Sequence, residues 1–96
     1  MTLRDDRARA IQESIREALL REWDPIGVFD EPSAQDEYDS YVGGIYRLLA
    51  GGASAEDIAA HLAKIQTDTM GLPASGERLL GVARRLKQID VRVTPA

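Results

Sequence analysis

The chain contains no cysteine, one histidine, one tryptophan and one phenylalanine. Lack of cysteine excludes disulfides, thiolate zinc sites, iron–sulfur ligation and thiol catalysis, and removes any pointer to an oxidising compartment. Uninterrupted apolar runs are short, as in Ile26 to Phe29, whereas a membrane span needs about 20. Met1 to Asp6 is charged and no apolar stretch follows, so no signal peptide is expected and the expected address is the cytoplasm. Basic residues are outnumbered 12 to 16, and a pI near 4.9 disfavours general nucleic-acid binding, which rests on neutralising phosphates. What remains fits a single domain over residues 1–96, with 44% hydrophobic and 29% charged residues. A domain of this length buries about two-thirds of the surface its unfolded chain exposes.

Apolar spacing predicts four helices, over about residues 3–22, 36–51, 55–70 and 76–88. In the first, Ala8, Ile11, Ile15, Ala18, Leu19 and Trp23 fall in one stripe about 140° wide. Thr2 is its candidate cap, and Asp24-Pro25 stops it because a residue before proline avoids the α region. The second stripe holds Tyr38, Tyr41, Val42, Ile45, Leu48 and Leu49, with Gly43-Gly44 as its weak point and Gly51-Gly52 as its left-handed end. Ser54 caps the third helix, on which Ile58, Leu62, Ile65 and Thr69 share a face, and Gly71-Leu72-Pro73 ends it. Leu79, Val82, Ala83, Leu86 and Ile89 line the fourth. Beyond it, Val91 to Ala96 reads as a tail or a short strand. The fold class is therefore all-α, a compact bundle or orthogonal array of four helices with an ordered loop over residues 24–35. That loop carries Ile26, Val28 and Phe29, which lower free energy only when buried.

Charge is unevenly distributed. Net charge is zero over residues 1–22, −6 over 23–42, −1 over 43–76 and +3 over 77–96. The six acids of the second segment, Asp24, Asp30, Glu31, Asp36, Glu37 and Asp39, have no basic residue among them. They repel one another unless they face solvent, meet the basic last helix, or bind a cation or a basic partner. The simpler account has Asp36, Glu37 and Asp39 complementing the dipole of the second helix. A calcium loop fits poorly, because the spacing departs from Asp-x-Asp-x-Asp-Gly with glutamate at the twelfth position.

His61 follows Asp57 by four residues, half of a metal-site spacing, but no second histidine exists. It reads as a boundary residue paired with Asp57. Ser54 and Ser75 read as caps and not as nucleophiles, and neither diglycine has the Lys-Ser/Thr that a phosphate loop requires. No catalytic residue, metal ligand or cofactor is assigned. All five aromatics, Trp23, Phe29, Tyr38, Tyr41 and Tyr46, lie within residues 23–46. Core packing accounts for such a cluster, yet an exposed Tyr46 beside the carboxylates would make a recognition surface.

The strings Glu22-Trp23-Asp24-Pro25-Ile26-Gly27-Val28, Asp36-Glu37-Tyr38-Asp39-Ser40-Tyr41, Ile45 with Leu48-Leu49 and Gly52, and Met70-Gly71-Leu72 resemble a family of small bacterial proteins of unknown function. The resemblance spans roughly residues 15–72. It implies a bacterial, soluble, helical protein, assigns no activity and leaves the last helix outside the match.

Two functional readings follow. The first is a non-enzymatic protein-binding module whose acidic, aromatic segment 23–46 meets a basic protein surface, with an antitoxin-like or immunity-like role as one form of it. Its candidate binding residues are Trp23, Asp24, Asp30, Glu31, Asp36, Glu37, Tyr38, Asp39 and Tyr46. Homodimerisation is a further outlet for a chain this small. The alternative is a small metal-dependent enzyme or ligand-binding domain that gathers the same carboxylates around a divalent cation.

Overall fold

A computed structural model describes residues 3–27, 30–31, 33 and 36–92, with side chains from residue 6 onward. Helix α1 spans Leu3–Ala18 and runs on as a π turn, Leu19–Trp23. Helix α2 spans Asp39–Ala50, α3 spans Ala55–Lys64 and continues as a second π turn, Ile65–Thr69, and α4 spans Gly76–Leu86. No strand occurs among the described residues, so the fold is all-α, and Val91 leaves α4 without entering a sheet.

One core joins all four helices. Ile11, Ile15 and Leu19 from α1 and its π turn meet Val42 and Ile45 from α2, Ile58 and Leu62 from α3, and Leu79, Val82 and Leu86 from α4. Each such side chain stabilises the fold by about 1.5–3 kcal/mol through burial. The predicted stripes of the first and fourth helices therefore face the interior, with Ala8, Ala18 and Ile89 only half-buried. On α2 the stripe is graded: Val42 and Ile45 are buried, whereas Tyr41, Leu48 and Leu49 are half-buried at its edge. Helix α3 packs chiefly on α4, and α1 on α2. The whole measures 41 × 32 × 18 Å, and its thickness is that of two helix layers at about 10 Å each.

The helix ends follow local chemistry. Ser54 Oγ accepts the Asp57 N–H at 3.1 Å and Ser75 Oγ accepts the Arg78 N–H at 3.4 Å, so both serines are caps as expected. Gly52 takes the left-handed conformation (φ +76°) that ends α2, and the Ala53 N–H reaches back to the Leu48 carbonyl at 3.0 Å. Gly71 is likewise left-handed after α3.

Four expectations need correction. Helix α2 begins at Asp39 and not at residue 36. Tyr38, with φ −99° and ψ 3°, lies outside the helical region and is drawn into the core, leaving residues 36–38 as a turn closed by the Asp39 N–H on the Asp36 carbonyl. Only Asp39 thus stands in the first turn of α2, where it complements the helix dipole. Thr69 does not share the buried face of Ile58, Leu62 and Ile65. The π turn inserts one extra residue and rotates Thr69 into solvent, while Gln66, near its start, stays in the core. Gly43-Gly44 does not break α2. A Cβ on Gly44 would lie 3.3 Å from His61 Nε2, so the bare backbone lets the α3 imidazole rest against α2. His61 packs there instead of pairing with Asp57. Of the predicted loop over residues 24–35, Val28, Phe29, Pro32, Ala34 and Gln35 lie outside the described residues, as do the Thr2 cap and the end of the tail.

Candidate functional site

The acidic connector starts where α1 ends, and its first residues are built into the fold. At the end of the π turn Trp23 is fully buried, and its indole Nε1–H donates to Gln66 Oε1 at 2.9 Å. The Gln66 amide in turn donates to the Pro73 carbonyl at 2.7 Å. Gln66, at 7% exposure, is the buried polar side chain of the described core, and both ends of its amide are satisfied, as a low-dielectric interior demands. Arg78 Nη2, from the first turn of α4, donates to the Trp23 carbonyl at 2.7 Å and the Glu22 carbonyl at 3.3 Å, covering acceptors that the helix end leaves open.

Asp24 adopts the left-handed conformation (φ 35°, ψ 57°), and its N–H closes the π turn on the Leu19 carbonyl at 2.9 Å. Its carboxylate accepts the Tyr38 hydroxyl at 2.8 Å, while that hydroxyl accepts the Ile26 N–H at 3.2 Å. Tyr38 is itself fully buried and lies against Trp23 with ring centroids 5.3 Å apart, and Tyr41 meets the same indole edge-on at 5.9 Å. Burial pushes the Tyr38 phenol far above its ordinary value of 10.0, opposed by the Ile26 N–H and reinforced by Asp24. The phenol therefore stays protonated and donates to Asp24 at any physiological pH.

The nine candidate residues consequently divide by location. Trp23, Asp24 and Tyr38 form one joined cluster that anchors the connector, and the rings of Trp23 and Tyr38 offer no surface to a partner. Asp39 is exposed yet bridges helices, accepting Arg16 Nε at 2.8 Å, and it borders a shallow depression with Glu13 and Val42. Tyr46 sits half-buried further along α2, outside the Trp23 ring cluster. Asp30, Glu31, Asp36 and Glu37 face solvent. Ile26 in the same segment is 45% exposed, the one large hydrophobic side chain so displayed among the described residues. The basic side chains of α4 turn elsewhere: Arg78 caps α1, and Arg85 approaches Glu22 at 3.8 Å.

Among the described residues no three of His, Asp or Glu converge to hold a metal ion. A groove of about 340 Å³ lies between α1 and the end of α4, lined by Ser14, Ala18, Arg21, Arg85, Gln88 and Ile89. Its walls are ion-paired, Arg21 with Glu17 at 2.8 Å and Arg85 with Glu22, and no connector residue borders it. Sequence reasoning missed this groove and also missed Gln66. The small residues Ser14 and Ala18, one helical turn apart, were the available signal for the first. For Gln66 the available signal was its wheel position between Leu62 and Ala59 on the apolar face of the third helix.

Comparison with family models, curated proteins and solved structures finds no match for the chain. No helix among the described residues is long and apolar enough to cross a membrane.

Proposed function

We propose that this protein is a non-enzymatic binding module that presents its acidic connector to a basic surface on another protein. The observation that carries the reading is the segregation within residues 23–46. The aromatic members Trp23 and Tyr38 are spent on anchoring the segment, whereas Asp30, Glu31, Asp36 and Glu37 are exposed, as is Ile26. Like charges so placed repel one another and raise the potential that attracts a cationic partner. They also make association faster and sensitive to salt.

A cation-lined cleft, such as that of a nuclease, is the kind of surface this segment fits, which is the antitoxin-like or immunity-like form of the reading. The resemblance to small bacterial proteins and the absence of cysteine support a bacterial, cytoplasmic setting. A second copy of the chain is a further candidate partner.

The test is capture from lysate at low and high salt, using the full chain and the Asp36→Asn/Glu37→Gln variant. A partner held at low salt, released at high salt and lost from the variant supports the module. Equal recovery on both proteins sinks it, as does a thermal shift with magnesium, manganese or calcium that this variant abolishes. Sedimentation of the free chain reports whether the partner is another copy.

A further inference from the structure

Two π turns close the two helices that meet at the base of the connector. A π turn holds one residue more than an α turn and is intrinsically the less favourable register, so it persists only where its surroundings hold it. In the first, the Asp24 N–H bonds the Leu19 carbonyl at 2.9 Å, and in the second the Met70 N–H bonds the Ile65 carbonyl at 3.0 Å. Reversion of either to α geometry would turn its last residues by about 100° about the helix axis. For the first that would swing Asp24 away from Tyr38, and for the second it would swing the 70–73 loop, with its Pro73 carbonyl, away from Gln66.

Each turn holds the other in place. The Trp23 indole donates to Gln66, the Gln66 amide to Pro73, and the Leu72 N–H to the Gln66 carbonyl at 2.8 Å. On the other side Asp24, adjacent to Trp23, takes the Tyr38 hydroxyl, which itself takes the Ile26 N–H. The chain of bonded and stacked groups thus runs unbroken from Pro73 through both turns to Tyr38, the residue from which α2 starts. We propose that the paired π turns are one two-state latch, through which the 70–73 loop and the start of the connector set each other's position. Lose the bond at Gln66 and the α1 end is free to shift register, carrying Asp24 and its hold on Tyr38 with it. A ligand seated on the connector would bias the same equilibrium. That regulatory use rests on the reading proposed above, whereas the latch itself needs no partner.

Amide hydrogen exchange on the full chain tests the latch directly, because coupling between two sites must be reciprocal. Gln66→Met keeps length and apolarity while removing the amide. It is expected to speed exchange at Asp24 and Ile26 by at least roughly fivefold, the lower end of usual coupling between sites. Tyr38→Phe, which removes one oxygen, is expected to speed exchange at Met70 and Leu72 by a comparable factor. Amides of Leu79 and Leu86 in α4 should stay at their original rates in both variants. Acceleration confined to the turn nearest each substitution overturns the proposal, and so does a uniform rise that includes α4, which reports global opening. If Gln66→Met fails to fold, the Tyr38→Phe arm decides alone. Failure here leaves the capture experiment unaffected, so latch and binding surface are judged separately.

Discussion

The α3–α4 hairpin and the junction of α1 with α2 are held in different ways. In the hairpin, apolar seams meet directly and serine caps satisfy the N-termini, so each helix owes little to distant polar groups. At the junction a buried tryptophan is satisfied by a glutamine 43 residues away, a guanidinium 55 residues away covers its carbonyl, and a buried phenol closes the turn. Apolar burial tolerates imprecision because it has no direction. Hydrogen bonds in a dry interior do not, since a partner lost leaves a group unsatisfied at about 1–3 kcal/mol. The junction should therefore be the more brittle of the two regions.

Substitutions measure that difference. Trp23→Ala should cost about 3–5 kcal/mol or more in urea unfolding, because it empties the largest buried volume and leaves Gln66 half-satisfied. In the hairpin, Leu62→Ala should cost about 2–5 kcal/mol, the range for a fully buried leucine. If the tryptophan change proves cheaper than the leucine change, the junction is not the brittle region. Leu49→Ala, at the half-buried edge of α2, should cost roughly 1–2 kcal/mol, scaled to its partial burial.

Gly81 sharpens the comparison from the other side. It lies exposed in α4 with nothing within 4 Å of where a Cβ would stand, so Gly81→Ala should raise stability by about 0.5–1 kcal/mol. A loss would mean that α4 is not the self-sufficient helix described.

The smallest effect concerns pH. Burial, and then the nearby Lys64, hold the His61 imidazole below its ordinary 6.5. The unfolded chain then binds a proton more readily than the folded one. Stability linked to His61 is accordingly complete above pH 6.5 and is lost as pH falls through the depressed folded value. His61→Gln should flatten that part of the stability profile, and an unchanged slope would refute the assignment. Solvent reaches the half-buried ring, so the change should be modest.

Helix number, the apolar faces of α1 and α4, both serine caps and the glycine ends of α2 and α3 were legible in the sequence, because each depends on neighbours within a turn or two. The acidic excess of residues 23–42 was legible too, being a matter of composition. Its division into anchors and exposed carboxylates was not: Trp23 and Tyr38 lay on predicted core stripes yet also stood among the binding candidates until their depth was known. The π turns were invisible because helical periodicity assumes one register throughout, and for that reason it placed Thr69 inside. His61 against Gly44 was equally hidden, since nothing local relates a histidine on one helix to a missing Cβ on another.

By itself, the order of residues determined an all-α chain with a negatively charged crossing between its first two helices. Those properties follow from short-range periodicity and from charge, which need no knowledge of what lies across the core. Tertiary structure alone decided which side chains of that crossing are buried. That outcome depends on whether a distant Gln66, Pro73 or Arg78 arrives to satisfy the polar groups that burial strips of water.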